Sequence, residues 1–357
     1  MKPDEREGWR FEHDAVPRRA RSFFIRHPAL GLLLVGVPIA FLYSLYEADK
    51  LWSSESEILT TPLQLTVFWS LWLALPVAVL ALLRVFLRAR RGNILAALVS
   101  VGAFLLASLV IWAHVGEPNQ VRVVETKLDD ACGVKVALVS DLHIGLYSRD
   151  WQLERWVRQL NALDVDAVLV AGDWTLTPPY DLKKAFAPWT KLRHRSIGVL
   201  GTQEERKNGP RLADPLRETL RASGVEWIDG QRTMLGRCEL VGLGDLRSGT
   251  AAQDLRLVQG QRSTMPGARR LVLAHHPDTA DLLPANWAAW LLAGETHGAQ
   301  VDLPWVTPHL LAARSKGAYN RGRYQLEHMR LFVTSGLGLE DWPIRLGVPP
   351  TIDVLSL

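Results

Sequence analysis

Cysteine is scarce: the 357 residues contain two, Cys132 and Cys238. That is too few for the disulfide framework that staples small secreted domains. Two states stay open, a single bridge if the Cα atoms come within reach, or two separate buried thiols. Internal repeats and low-complexity stretches are absent, which excludes solenoid and array architectures. The net charge is only +4, and much of the excess is arginine beside apolar segments, so no nucleic-acid partner is expected. Aspartate, glutamate, lysine and histidine are missing deep inside three long apolar runs. Such residues usually mark ion or proton paths, so a channel or transporter subunit is disfavoured. Arg84, near the end of the second run, can snorkel to the interface, and His114 lies at the edge of the third.

The apolar runs, at about 29–46, 65–86 and 94–115, each approach the ~20 residues a helix needs to cross a bilayer. The first, preceded by Arg18, Arg19, Arg21 and Arg26, would pass for a signal sequence in isolation. Two more spans follow it, and no A-x-A-like cleavage site ends cleanly before Glu47. The loop after the first span sets Lys50 against Glu47, Asp49, Glu55 and Glu57, whereas Arg84, Arg88, Arg90 and Arg91 cluster after the second. Since cytoplasmic flanks are rich in Lys and Arg, the order reads in, out, in. The third span then delivers the rest of the chain to the extracytoplasmic side. Trp52 and Trp112 fall near span ends, where indoles favour the interface. The expected division is a cytoplasmic basic leader 1–28, a three-helix transmembrane module 29–115, a linker 116–133 and a globular domain 134–357.

Within the globular part, "KVALVSD", "DAVLVAGD", "SIGVLGT", "RLVLAHH" and "WLLAGET" are short apolar runs suited to strands buried on both faces. Between the first two, Leu153, Trp156, Val157 and Leu160 recur at helical spacing. In "DPLRETLRASG", Asp214 is an expected N-cap, Pro215 a first helical residue and Gly224 a stop. Alternating strands and helices indicate an α/β domain, and "ELVGLGDL", "RLFVTSGLG" and "TIDVLSL" add strands without intervening helices, as in a mixed or doubled sheet system. Ligands in such sheets bind beyond the carboxyl ends of the strands. There stand Asp141 with His143, Asp173, the segment "GTQEER", His275 with His276, and Glu295 with His297. Singly, each is an ordinary turn; as an ordered series, they bring together the oxygen and imidazole donors that a divalent metal requires.

That series resembles the calcineurin-like metallophosphoesterases. "SDLHIG" is similar to the family's D-x-H block, "AGDWT" to G-D, "GTQE" to G-N-H-D/E, "LAHHPD" to the strand-end histidine and "AGETHGAQVDLP" to G-H-x-H-G. The tail "FVTSGLG…PIRLGVPPTIDVLSL" is similar to the end of the bacterial, membrane-anchored branch. The resemblance implies a four-layer αββα domain over about 134–357. It further implies that Asp141, His143 and His297 hold one metal, and that Asp173 bridges to a second held also by His275. Three departures fall on the second half. Thr202 stands for a ligating Asn, Gln203 for the catalytic His and Glu295 for a ligating His. Gln203 cannot donate a proton in the physiological range, and loss of positioned acid catalysis typically costs ~10²–10⁴-fold. Glu295 keeps a donor suited to hard cations. Gln203, His276 and Arg206 are candidate substrate contacts, with Lys207, Arg321 and Arg323 nearby.

The expected cofactor is a divalent ion (Mn, Fe, Zn or Mg), with one site retained and the second weakened or re-specified. The expected function is a membrane-anchored phosphoesterase acting on a phosphate ester or diester of a lipid or envelope intermediate, by attack of a metal-bound hydroxide. The alternative is a protein of the same fold with degenerate catalysis and a binding or regulatory role.

Overall fold

The computed structural model describes residues 27–52, 57–129, 131–206, 212–261, 263 and 265–357. The leader arginines, Glu55 and Lys207 lie outside the described residues. Three helical segments are long and apolar enough to cross a membrane, Pro28–Ala48, Thr60–Arg90 and Ile94–Asn119. Their leucines, Leu34, Leu42, Leu83, Leu98 and Leu106 among them, are largely exposed. A surface of this size and polarity is stable only when covered by something equally apolar. The second segment is two helices, Thr60–Leu71 and Ala74–Arg90. Pro76 explains the break, because it has no N–H to donate to the carbonyl of Trp72 four residues back.

The strands, numbered along the chain, form two six-stranded sheets and one small pair. The first sheet runs β1 (Arg122–Lys127), β14 (Thr351–Ser356), β2 (Lys135–Val139), β4 (Ala167–Ala171), β6 (Arg195–Val199), β7 (Val225–Trp227). The second runs β12 (Gly322–Gln325), β13 (Arg330–Val333), β11 (Trp290–Ala293), β10 (Arg270–Leu273), β9 (Cys238–Gly242), β8 (Arg232–Leu235). β3 (Ile144–Gly145) pairs with β5 (Thr175–Leu176). β1 occupies the segment read as linker 116–133 and lies parallel to β14. Its "RVVETK" is mostly exposed, so it carries no alternating apolar signal by which a strand is recognised.

Period-two geometry sorts the side chains. Val136, Leu138, Leu169, Ile197 and Leu355 of the first sheet share one core cluster with Leu240, Leu271, Leu292 and Phe332 of the second. The alternate positions, Ala137, Val139, Val168 and Val170, pack with Leu153, Trp156, Val157 and Leu160 of the helix Asp150–Asn161. On the far side of the second sheet, Val241, Val272, Leu291 and Leu331 pack with Ala251, Leu255 and Val258 of the helix Thr250–Gly260. The helix expected to start at Asp214 instead spans Ala213–Arg221, with Leu212 as its N-cap. Pro215 is tolerated because N–H groups of a first turn have no helical partner to lose.

Of the two states open to the cysteines, the structure has the bridge: Cys132 and Cys238 form a disulfide, with Cα atoms 4.9 Å apart, inside the cluster between the sheets. The membrane module packs on the globular part through polar contacts. His114 Nδ1 lies 2.7 Å from Pro343 O, Arg345 N donates to Ala113 O at 2.8 Å, and Gly347 N donates to Glu117 Oε2 at 3.0 Å. Trp52 N donates to Pro178 O at 2.6 Å, and Arg149 faces Glu47 at 3.5 Å.

Candidate metal centre

The ends of β2, β4 and β11 carry their side chains on left-handed backbone. Asp141, His143, Asp173, Glu295 and His297 have φ of 53°, 48°, 52°, 69° and 51°. Non-glycine residues rarely occupy this left-handed region, and its concentration at one place is the mark of a functional site. The turns are tied to each other: Asp141 N donates to Gly172 O at 3.0 Å and His143 N to Asp173 O at 3.2 Å. Gly201 has to be glycine, since a side chain there would collide with Asp173. Gly336, at φ 68°, would set a Cβ 2.8 Å from that of Asp141.

The donors converge. Asp141 Oδ1 is buried with no hydrogen-bond partner, yet three imidazole nitrogens surround it: His297 Nε2 at 3.5 Å, His143 Nε2 at 3.9 Å and His275 Nε2 at 4.0 Å. His143 Nε2 and His297 Nε2 face each other at 3.0 Å. Asp173 reaches both halves, with Oδ2 3.8 Å from His143 Nε2 and Oδ1 3.3 Å from His275 Nε2. The outer ring nitrogens of two rings meet backbone carbonyls, His143 Nδ1 at Thr175 O (3.4 Å) and His275 Nδ1 at Ala171 O (2.8 Å), which turns each Nε2 inward. An orphaned buried carboxylate oxygen amid imidazoles, with a second carboxylate between two histidines, fits a divalent cation. Such an ion would act as a Lewis acid and lower the pKa of bound water.

Burial drives the His143 pKa down to about 4 and that of His297 well below the ordinary imidazole value, so both rings are neutral and offer lone pairs. Burial likewise raises Asp141 to about 6. At His275, burial opposes the charged form but is outweighed by Asp173 and Glu295, which hold its pKa well above normal. Glu295 Oε2 lies 2.7 Å from His275 Nε2. A cation entering this half would compete with Glu295 for the His275 nitrogen.

The other sequence candidates are engaged elsewhere. Thr202 donates its hydroxyl to Asp245 Oδ1 at 2.8 Å. Gln203 N donates to Asp173 Oδ1 at 2.9 Å, while its side-chain Nε2 donates to Glu340 Oε1 at 2.8 Å. Glu204 accepts from Thr175 N, Thr175 Oγ1 and Gly201 N at 2.8–3.0 Å, locking the loop from behind. His276 Nδ1 accepts from Asp278 N at 3.2 Å, and its Nε2 lies 2.9 Å from Arg314 O, so the ring is tied to backbone on both edges. Arg206 is ion-paired with Glu57, from the loop after the first span. Arg321 lies 3.7 Å from Asp302, and Arg323 lines a separate groove with Arg122 and Asp353.

Sequence reading missed Glu340, Arg314, Arg247 and Arg345. Glu340 Oε2 is 3.7 Å from His297 Nε2 and accepts from Arg314 Nη1 at 2.5 Å. Burial opposes its charge, but the Arg314 guanidinium prevails and lowers its pKa to about 2. Arg247 pairs with Glu295 Oε1 at 2.8 Å. Arg345 is fully buried and donates to the carbonyls of Ser335, Gly338 and Val348 at 2.8–3.2 Å, bracing the loop that carries Glu340. In sequence, "GLGLED" reads as an acidic turn, and only its "GLG" carried a signal.

No family model matches the chain. Among curated proteins, the chain is 26% identical to the phosphodiesterase YaeI of Escherichia coli over 69% of its length and 92% of that protein's. It is 25% identical to the uncharacterised metallophosphoesterase Cj0846 of Campylobacter jejuni, over 74% and 71% respectively. It is 24% identical to the UDP-2,3-diacylglucosamine pyrophosphatase LpxG of Chlamydia trachomatis, over 68% and 91%. A transmembrane protein with a metallophosphoesterase domain from Danio rerio is also similar. Relatives named as a metallophosphoesterase, a phosphodiesterase and a pyrophosphatase, together with donors gathered at the ends of parallel strands, support the calcineurin-like metallophosphoesterase family that the sequence motifs resemble.

Proposed function

We propose that this chain is a membrane-anchored, metal-dependent phosphoesterase. Its globular part would be the four-layer αββα domain of the family, a reading supported by the three core clusters, one between the sheets and one on the far side of each. Asp141, His143 and His297 would hold a first cation, with Asp173, His275 and Glu295 as the donors of a second half. The carrying observation is the buried Asp141 Oδ1, unpartnered among three imidazole nitrogens within 4.0 Å. In this reading the chain's own groups position a phosphate ester: neutral His143 and His297 would offer lone pairs to the cation, and the N–H groups of Gln203 and His143 hold Asp173.

The domain lies outside the cytoplasm, supported by the arginine distribution and by the Cys132–Cys238 bridge, since disulfides persist in oxidising compartments. The substrate is a phosphorylated lipid or envelope intermediate, which the apolar anchor and the similarity to the UDP-2,3-diacylglucosamine pyrophosphatase LpxG both favour. A second reading, a non-hydrolytic binding or regulatory protein, is favoured by one observation: Thr202 and Gln203 spend their polar groups on Asp245 and Glu340.

Elemental analysis of the purified full chain, with hydrolysis of bis(p-nitrophenyl) phosphate, tests the proposal. Wild type is expected to carry about one equivalent of Mn, Fe or Zn and to cleave the diester, with both sharply reduced in Asp141→Asn. Metal-free wild type removes the site; metal without turnover leaves the second reading.

A further inference from the structure

We infer that Glu340 is an additional ligand of the metal at this centre, supplied by the C-terminal loop and closing a coordination position that would otherwise be open. The inference rests on the reading that Asp141, His143 and His297 bind a cation. Donor atoms of His143, Asp173 and Glu340 all lie within 4.8 Å of one another, as do those of Asp141, His143 and His297. Opposite ligands of a cation with bonds of ~2.1 Å stand roughly 4 Å apart, so both triads have the spacing of one coordination sphere. Glu340 Oε2 and Asp141 Oδ1 approach the same atom, His297 Nε2, at 3.7 and 3.5 Å.

The carboxylate is built into place. Gln300, three residues after His297, clamps the backbone of Glu340 on both sides: its Oε1 accepts from Glu340 N at 2.9 Å, and its Nε2 donates to Glu340 O at 2.7 Å. Gly338 N donates to Asp141 O at 2.6 Å, tying the same loop to the first ligand. Gln203 and Arg314 then take one oxygen each, at 2.8 and 2.5 Å. A partner for Arg314 alone needs none of this, because Asp341 already meets that guanidinium at 2.7 Å. The arrangement also gives Gln203 a role that a catalytic acid's replacement does not otherwise have: its amide aims Glu340. A carboxylate bound there stands where a phosphoryl oxygen or a water would coordinate.

Full-length protein in detergent, stripped of metal, is titrated with Mn²⁺ by calorimetry, and the water-proton relaxivity of the bound ion is measured. Glu340→Gln, which keeps shape but not charge, is expected to weaken Mn²⁺ binding by tenfold or more and to raise relaxivity, as water enters the vacated position. Glu340→Asp, which keeps the charge but withdraws the oxygen by one methylene, is expected to raise relaxivity too. Relaxivity equal to wild type in both variants overturns the inference whatever happens to affinity, since a through-space charge effect admits no water. Wild type that binds no Mn²⁺ overturns the proposed centre as well, whereas binding with unchanged relaxivity in the variants overturns only the role of Glu340. Superimposable circular dichroism melts establish that the variants are folded.

Discussion

Removing the Cys132–Cys238 bridge should cost this protein more stability than most single changes. The bond joins residues 106 apart, linking the approach to β2 in the first sheet with β9 in the second. In the chain-entropy account, a closed loop of that length confines the unfolded chain by about 16 cal/mol/K, or about 5 kcal/mol at room temperature. Both sulfurs lie in the cluster between the sheets, so Cys132→Ala with Cys238→Ala also removes buried contacts, adding on the order of 1 kcal/mol. At roughly 2–4 °C per kcal/mol for a domain of this size, the midpoint should fall by about 12–24 °C. The assay is thermal unfolding in detergent of wild type and double variant, each with and without dithiothreitol. Wild type should lose most of that interval on reduction, while the variant should ignore the reductant. A wild type that melts at the same temperature reduced or oxidised would refute the reasoning, because it would mean that the bridge constrains nothing in the unfolded chain.

Asp353, buried on β14, has its pKa raised by burial from 3.8 to about 7. The folded state therefore holds this proton more tightly than the unfolded chain does. Its contribution is complete below about pH 4 and is lost as pH rises through about 7, by up to ~4 kcal/mol. Asp353→Asn should accordingly raise the melting temperature at pH 8 and leave it unchanged at pH 4; an equal shift at both would count against this. Thr202→Asn with Gln203→His, which restores the family's residues, should raise phosphodiesterase activity by roughly tenfold or more, provided that the new side chains give up the bonds to Asp245 and Glu340; no change would locate the deficit elsewhere. A phosphatase reporter fused after Leu357 should be active only outside the cytoplasm, and an inactive fusion would reverse the topology.

Much of this architecture was legible because the signals are local. Continuous apolar runs such as "AVLVA" mark strands covered on both faces, and ~20-residue apolar stretches mark spans whatever surrounds them. Asp141, His143, Asp173, His275 and His297 stood out because strand ends are where such sheets present ligands. The edge strand β1 went unseen since its exposed side chains make no pattern, and its identity comes only from pairing with β14. Glu340 escaped notice because an acidic turn is unremarkable until a distant loop, through Gln300, fixes it beside His297.

The sequence by itself determined that three apolar helices precede an α/β domain whose strand ends carry oxygen and imidazole donors, for these depend on composition and period. Tertiary structure alone decided which donors share a centre, that the two thiols pair, and that Thr202, Gln203 and His276 turn to protein partners. Those outcomes depend on distances between residues dozens to more than a hundred positions apart, and no local pattern encodes such distances; they arise only when both sheets pack and bring their loops to one place.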